Sequence, residues 1–476
     1  MMLGIQGRKM MKMVPQLMAQ VEEYARTQKA KNFLQNQIQF TDEQNRRIQH
    51  YISQLRSIGF EEKLVEKLES YIRKTDDDLL SKIRLLPLIS KWGANKNDVI
   101  SLFLHAADIG LLDLRWEAIC PHCQNTRQSF NHLSDLPLTS SCAPCQIDFN
   151  LTGSNALEVV FQVNPAIRSL DIRPFCSSAP THRPHIKLNQ EVNNNSTKTI
   201  PTRLEVGRYR MRIKGEMNFN LLDIGPEESR KELVWNLKNT DTNYQIGNFP
   251  LIKLENETGK PETFILESVI EDQNVLRPVD LFNFPTFRRL FPSESIAEGI
   301  PLEIGTQHIL FTDVVGSTNF YKQVGDTIAF IEIRKHFNKM YELVENDNGI
   351  VVKTIGDAVM ASFRSPKDAF SCAEKVQLYF SSNNEETKLR LRATIHSGQC
   401  MAINGDKGID YFGTTVNLAA KIQSLANAGE IVITEDVSND PVLSEYLNGL
   451  PYATEELEFP STKQGGTLLT TKYKIS

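Results

Sequence analysis

The stretch Phe311-Thr-Asp-Val-Val-Gly-Ser-Thr318 decides the fold of the C-terminal third of this chain. An apolar run that is typical of a strand leads into Asp313, and the Gly-Ser-Thr that follows is typical of the start of a helix. A second stretch, Lys353-Thr-Ile-Gly-Asp357, also ends a strand-like run with an aspartate. Two carboxylates are thus predicted at the ends of two strands.

Strands and helices alternate around these two stretches, which predicts an α+β fold for residues 301–476. The hairpin is predicted to turn at Gly356-Asp357, between two apolar runs. The predicted elements are the strand His308–Thr312, the helix Asn319–Glu345, the hairpin Ile350–Ile355 with Ala358–Phe363, the helix Lys367–Phe380, the strand Leu389–Ile395, the helix Val416–Ala426 and the strand Glu430–Thr434.

A third stretch, Asp410-Tyr-Phe-Gly-Thr-Thr-Val-Asn417-Leu-Ala-Ala-Lys421, follows further along the chain. Together the three stretches resemble the catalytic domain of the class III nucleotidyl cyclases, which convert ATP or GTP into a cyclic nucleotide. The resemblance covers about 301–476. It implies a ferredoxin-like fold with an added C-terminal portion.

Cyclisation requires the ribose 3′-oxygen to attack the α-phosphate while pyrophosphate leaves. Two divalent cations can stabilise the attacking and leaving oxygens, and Mg²⁺ and Mn²⁺ prefer hard oxygen ligands such as carboxylates. The resemblance implies that Asp313, Asp357 and the backbone carbonyl of Val314 hold two Mg²⁺ or Mn²⁺ ions per active site.

The segment after Asp313 is predicted to bind phosphate. Backbone N–H groups at the start of a helix favour phosphate oxygens, although Ser or Thr at such a position can equally cap the helix. Both roles can coexist here. The predicted nucleotide-binding segment consists of Val315, Gly316, Ser317 and Thr318.

The resemblance assigns base recognition to Lys353 and Asp410. Adenine offers an acceptor at N1 and a donor amine at C6, which a lysine donor and a carboxylate acceptor match. Cyclases for GTP typically carry a glutamate at the position of Lys353. ATP is therefore the predicted substrate, and a guanylate cyclase is the alternative.

The helix at Asn417 carries one departure from the family pattern. Asn417 matches an asparagine that orients the ribose, but Lys421 stands where the family has an arginine that holds the transition-state phosphate. Lysine keeps the charge and loses the planar fork of the guanidinium. This departure leaves open a weakly active nucleotide-binding sensor with a degenerate cyclase domain.

In homodimeric cyclases the active site lies at the interface between the chains. The resemblance implies that one chain supplies the metal ligands, while the other supplies Lys353, Asp410, Asn417 and Lys421. A chain with one copy of each is predicted to form a head-to-tail homodimer with two sites.

The N-terminal half is predicted to contain helices followed by a zinc ribbon. Apolar residues recur at helical spacing in Val14–Tyr24 and Leu64–Ile72, and residues 86–117 resemble a winged-helix arrangement, which gives a helical region over 1–117. Cys120-Pro-His-Cys123 and Cys142-Ala-Pro-Cys145 then have the spacing of a four-cysteine zinc ribbon within 118–150. His122 and His132 are less favoured ligands.

Short strand-like runs separated by Asn, Gly and Pro predict a β-sandwich-like domain over 155–287. The whole layout is similar to a bacterial architecture in which an uncharacterised N-terminal region precedes a class III cyclase domain. The N-terminal region is therefore predicted to regulate the enzyme.

Composition narrows the class of protein further. The formal net charge is −5, and Asp residues are mixed with the Lys and Arg of 86–150, which argues against the alternative of a zinc-ribbon DNA-binding regulator. The longest apolar run, Val99–Leu114, is interrupted by His105 and Asp108, so no transmembrane helix is predicted. Paired CxxC cysteines fit a reducing, cytoplasmic location.

Overall fold

The computed structural model describes residues 22, 40–171, 185–226, 232–236, 243–269, 274–381, 387–405, 408–460 and 467–475. The helix predicted at Val14–Tyr24 lies outside these residues, except for Glu22. Contacts divide the chain into two compact units, Met1–Ser81 with Val163–Ile172, and Lys82–Gln162 with Arg173–Ser476.

The described residues of the first unit form the helices α1 (Asp42–Ile58), α2 (Glu62–Lys74) and α3 (Asp77–Ser81). Thr41 begins α1 with a capping box. Its side chain accepts a hydrogen bond from the N–H of Gln44, and the Gln44 side chain accepts one from the N–H of Thr41. The predicted helical spacing at Leu64–Ile72 is confirmed, since the apolar side chains of α2 are buried along one face.

The second unit opens with α4 (Leu85–Trp92) and α5 (Lys96–Asp108). Asn95 caps α5 by accepting hydrogen bonds from two backbone N–H groups of its first turn. Five strands follow: β1 (Leu112–Ile119), β2 (Thr126–Phe130), β3 (Thr139–Cys142), β4 (Ile147–Asn150) and β5 (Leu157–Val163). They form a three-stranded sheet in the order β2-β1-β5 and a separate β3-β4 hairpin.

Two sheets then enclose a common apolar core. The order is β10-β12-β7 in one and β11-β9-β8-β13-β6 in the other, and side chains such as Trp235 and Phe264 from opposite sheets meet inside. This two-sheet body covers 186–268, whereas the prediction placed its start at 155. Its strands are β6 (Ile186–Val192), β7 (Ser196–Pro201), β8 (Gly207–Ile213), β9 (Phe219–Gly225), β10 (Glu232–Asn236), β11 (Asn243–Gly247), β12 (Leu251–Asn256) and β13 (Glu262–Ser268).

Two short helices, α6 (Pro278–Phe282) and α7 (Pro285–Leu290), connect this body to the C-terminal part. The C-terminal part is an α+β fold. Its elements are β14 (Leu302–Val314), α8 (Ser317–Val324), α9 (Asp326–Asn346), β15 (Ile350–Ile355), β16 (Ala358–Phe363), α10 (Pro366–Tyr379), β17 (Leu391–Gly405), β18 (Gly408–Phe412), α11 (Thr414–Lys421), β19 (Glu430–Thr434), α12 (Glu435–Ser438), α13 (Pro441–Asn448), β20 (Ala453–Pro460) and β21 (Thr467–Lys474).

The strands of this part make one sheet in the order β15-β16-β14-β17-β19-β21-β20, with β18 paired to β17. Helices α9 and α10 pack on it over a core that contains Met340, Phe363 and Phe370. The predicted hairpin and the strand Glu430–Thr434 have the predicted bounds. The single helix predicted at Asn319–Glu345 is wrong: Gly325, with φ of 79°, separates α8 from α9.

Candidate active site

The two predicted metal-binding aspartates lie at one end of neighbouring strands. Asp313 is near the end of β14, and Asp357 lies in the turn between β15 and β16. Because β14 and β16 are antiparallel and pair Thr312 with Val359, the next residue, Asp313, comes beside the turn that carries Asp357. The sheet register thus brings together two carboxylates that are distant in the sequence.

The oxygens of these aspartates fit a cation. Oδ2 of Asp357 is buried and has no hydrogen-bond partner within the described residues. A buried carboxylate oxygen without a partner is costly, and a bound Mg²⁺ or Mn²⁺ ion would satisfy it. The residues present therefore suit the predicted metal pair.

Arg392 also belongs to this site, and the sequence analysis missed it. It projects from β17, whose register pairs it with Asp313. Its Nε lies 2.9 Å from Oδ2 of Asp313, and both side chains are partly buried. An arginine within the otherwise apolar Leu391–Ile395 run is the signal that could have suggested it. Arg392 orients the Asp313 carboxylate through this charge-assisted hydrogen bond.

The predicted phosphate segment forms the start of α8. Gly316 has φ of 72° and precedes Ser317, the first residue of the helix, and no side chain caps this end. The first-turn N–H groups of Ser317 and Thr318 therefore point out of the helix end, where an anion is favoured. The N–H of Val315 instead donates to the carbonyl of Arg390 at 2.9 Å, so this group is not available to a phosphate.

The two predicted base-recognition residues are in direct contact. Lys353 Nζ on β15 lies 2.7 Å from Asp410 Oδ2 on β18. Both side chains are partly exposed, at 35% and 22%, so a ligand can reach them. The ion pair holds one donor and one acceptor side by side, which is the arrangement that adenine requires.

Asn417 and Lys421 lie one helical turn apart on the exposed side of α11. In the part of the chain that the structure describes, neither side chain forms a hydrogen bond or an ion pair with the aspartate pair or the Lys353–Asp410 pair. One chain therefore joins two pairs of predicted residues by close approach, and Asn417 and Lys421 form no polar bond to either pair.

A second cluster, the four predicted zinc ligands, lies elsewhere in the same unit. The sulfurs of Cys120, Cys123, Cys142 and Cys145 are all buried and lie within 4.8 Å of one another. The two CxxC turns are alike. In each turn a glutamine, Gln124 or Gln146, follows the second cysteine and has φ near +57°. Its backbone N–H donates a hydrogen bond to the carbonyl of the first cysteine of the same turn.

The surroundings of these sulfurs favour a cation. Hydrogen bonds from its neighbours lower the pKa of the Cys123 thiol, while the hydrogen bond to Cys123 raises the pKa of Cys120. Four thiolates cannot share a buried site unless a cation balances their charge. His132 is not a ligand, because its ring contacts Glu294 at 3.2 Å, and His122 lies outside the sulfur cluster.

Comparison with known proteins identifies the C-terminal part. Residues 303–456 match the adenylate and guanylate cyclase catalytic domain, and residues 45–185 match a family of unknown function, DUF5939. The C-terminal part of the chain is therefore a class III adenylate/guanylate cyclase catalytic domain. None of the helices among the described residues is long and apolar enough to cross a membrane.

The curated relatives match about a quarter to a third of this chain and a small part of their own length. The chain is 28% identical over 167 residues to receptor-type adenylate cyclase GRESAG 4.1 of Trypanosoma brucei brucei, 26% of this chain and 13% of the relative. It is 28% identical to receptor-type adenylate cyclase A of Leishmania donovani, over 31% of this chain and 14% of the relative. An adenylate cyclase of Neurospora crassa is 27% identical over 34% of this chain and 8% of its own length. These relatives are eukaryotic, so the bacterial architecture stays a prediction.

The solved structures cover a little over a third of this chain and most of their own length. A Trypanosoma brucei adenylate cyclase in its monomeric state is 21% identical, with a TM-score of 0.32, over 35% of this chain and 87% of the other. The catalytic core of a rhodopsin-guanylyl cyclase with converted specificity, in complex with ATPαS, is 20% identical, with a TM-score of 0.32, over 37% of this chain and 97% of the other.

Proposed function

We propose that this chain is an adenylate cyclase that converts ATP to 3′,5′-cyclic AMP and pyrophosphate. The observation that carries the proposal is the placement of Asp313 beside Asp357, whose Oδ2 is buried and has no hydrogen-bond partner among the residues that the structure describes. Two Mg²⁺ or Mn²⁺ ions at these carboxylates would stabilise the attacking 3′-oxygen and the departing pyrophosphate.

The residues of this chain have separate roles in the proposed reaction. Asp313, Asp357 and the Val314 carbonyl would hold the cations, and Arg392 orients Asp313. The N–H groups at the start of α8 bind phosphate oxygens, and Lys353 with Asp410 reads the base. The 3′-hydroxyl passes its proton to solvent water as its oxygen bonds to the α-phosphorus, and the bond from that phosphorus to the departing pyrophosphate breaks.

The proposed site is shared by two copies of the chain in a head-to-tail homodimer. Asn417 and Lys421 are exposed on α11 and form no hydrogen bond or ion pair with the aspartate pair of their own chain among the described residues. The second copy would bring its Asn417 and Lys421, together with its Lys353 and Asp410, to the nucleotide whose cations the first copy holds. The names of the relatives support adenylate over guanylate cyclase activity, in agreement with the Lys353–Asp410 pair.

The N-terminal half is proposed to hold one structural zinc ion and to regulate the catalytic part. The four sulfurs within 4.8 Å of one another support the zinc site. The paired CxxC cysteines also support a cytoplasmic location for the protein. The second candidate, a nucleotide-binding sensor, is favoured only by Lys421 in place of arginine.

The test is cyclic nucleotide formation by the purified full chain with Mn²⁺ and either ATP or GTP. We expect cyclic AMP as the main product, and we expect Asp357→Asn to abolish it while the protein stays folded by circular dichroism. Asp326→Asn, an exposed aspartate at the start of α9, is the matched control and should keep its activity. Cyclic product from Asp357→Asn at the normal rate would show that the aspartate pair is not the catalytic site.

A further inference from the structure

The two short helices before the catalytic part, α6 and α7, contact the strand that carries Asp410. Asn283 lies between them, and its Oδ1 accepts a hydrogen bond of 2.8 Å from the hydroxyl of Tyr411 on β18. Its Nδ2 donates to Oε1 of Gln307 on β14 at 2.7 Å. All three side chains are buried, so each of these hydrogen bonds replaces one that water could otherwise supply.

A second contact restrains Ile409, the residue that precedes Asp410. Nη1 of Arg288 on α7 donates to the carbonyl of Ile409 at 2.8 Å, and its guanidinium lies 5.5 Å from the centre of the Tyr411 ring. Ile409 and Tyr411 flank Asp410 in sequence. Because successive side chains of a strand point to opposite faces, the contacts of Tyr411 hold one face of β18 while Asp410 projects from the other, and Arg288 also holds the backbone next to Asp410.

Besides the contacts of Asn283 and Arg288, strand β18 contacts α11 and also β15, through the Lys353–Asp410 ion pair. In the described part of the sheet it pairs along one side only, with β17. A strand with a single neighbour can shift or fray more easily than a central strand. The contacts from Asn283 and Arg288 therefore supply a restraint that the sheet itself does not provide.

The same two helices contact the N-terminal part of this unit. Trp116, buried on β1, packs against Phe282 and Phe287, with ring centres 6.2 and 6.1 Å apart. Asp280 of α6 also accepts a hydrogen bond from Arg364, which follows β16. The helices are thus packed between β1, close to the cysteine cluster, and the catalytic sheet.

We propose that Asn283, Arg288 and Tyr411 are positioning residues that hold Asp410 where it recognises the base, so that α6 and α7 link the N-terminal part to nucleotide selection. This inference rests on the proposed function. A displacement of Trp116 would move Phe282 and Phe287, and the adjoining Asn283 would move with them. The contact at Tyr411 would transmit this movement to Asp410.

The first test is Tyr411→Phe, which removes only the hydroxyl group. A buried hydrogen bond of this kind contributes about 0.5–1.5 kcal/mol, so KM for ATP should rise roughly threefold to tenfold, and the preference for ATP over GTP should fall by a similar factor. Tyr209→Phe is the matched control, because its buried hydroxyl donates at 2.8 Å to the Glu205 carbonyl, outside the catalytic part. Equal kinetics for the two variants would overturn the proposal.

A second comparison separates positioning from general stability. In an Asp410→Asn background the base contact is already altered, so adding Tyr411→Phe should change KM for ATP less than about twofold. A purely structural role predicts the same fold-change in both backgrounds, and that result would overturn the proposal.

Hydrogen exchange gives a readout that does not depend on catalysis. In the full chain, Asn283→Ala should speed amide exchange of residues 408–412 at least about tenfold, while β19 stays protected. Unchanged exchange at 408–412 would overturn the proposal. A wild-type protein that makes no cyclic nucleotide would refute the proposed function instead, and the exchange experiment would still decide whether α6 and α7 restrain β18.

Discussion

The substitution Gly398→Ala should damage the active site without touching any predicted catalytic residue. Gly398 lies in β17, and a Cβ at this position would be 2.5 Å from Oγ1, 3.2 Å from Cγ2 and 3.4 Å from Cβ of Thr415. Thr415 lies in the first turn of α11, buried, with its hydroxyl donating to the carbonyl of Gln399 at 2.8 Å.

The expected losses of stability and of kcat follow from this overlap. Non-bonded heavy atoms prefer separations of about 3.5–4.0 Å, so Thr415 has to retreat by about 1 Å. Overpacking of this kind typically costs about 1–3 kcal/mol of stability. Since α11 also carries Asn417 and Lys421, a displacement of about 1 Å should lower kcat by up to about 10²-fold.

The assay combines turnover with native-state hydrogen exchange of β17 amides, which report the free energy of unfolding of the catalytic part. Gly153→Ala is the matched control, because its added Cβ would meet nothing within 4 Å. Adding Thr415→Ala to Gly398→Ala should restore part of the lost stability and part of the lost kcat, since it removes the overlapping atoms. If Gly398→Ala behaves like Gly153→Ala, the close packing of α11 on β17 does not position the catalytic residues.

Three further predictions test other parts of the proposal. Asp313→Ala and Asn417→Ala proteins should each be inactive, and mixing them should recover one working site per heterodimer; no recovery despite subunit exchange would contradict a shared site. Cys142→Ser should lose the single zinc per chain by elemental analysis, whereas Cys400→Ser should keep it; a wild-type protein without zinc would refute the site. Lys421→Arg should raise kcat, by at most about 10²–10³-fold, with little change in KM; an unchanged kcat would show that Lys421 does not occupy the place of the family's arginine.

The sequence by itself determined the features that depend on neighbouring residues. The hairpin around Gly356-Asp357 has the predicted bounds, because two apolar runs meet at a glycine with φ of 64°. The cap at Asn95 likewise depends on backbone groups within three residues. Each CxxC pair places two sulfurs on one local turn, so the cysteine spacing alone could predict that the four sulfurs cluster.

Only the tertiary structure decided which distant residues meet. Arg392 reaches Asp313 across 79 residues, and Tyr411 reaches Asn283 across 128. The first contact follows from the register in which β14 pairs with β17, and the second from how α6 and α7 pack beside β18. A shift of one residue in either strand would turn Arg392 or Tyr411 to the opposite face of the sheet. Local propensity carries no information about this choice, because packing of the whole sheet against its helices selects the register.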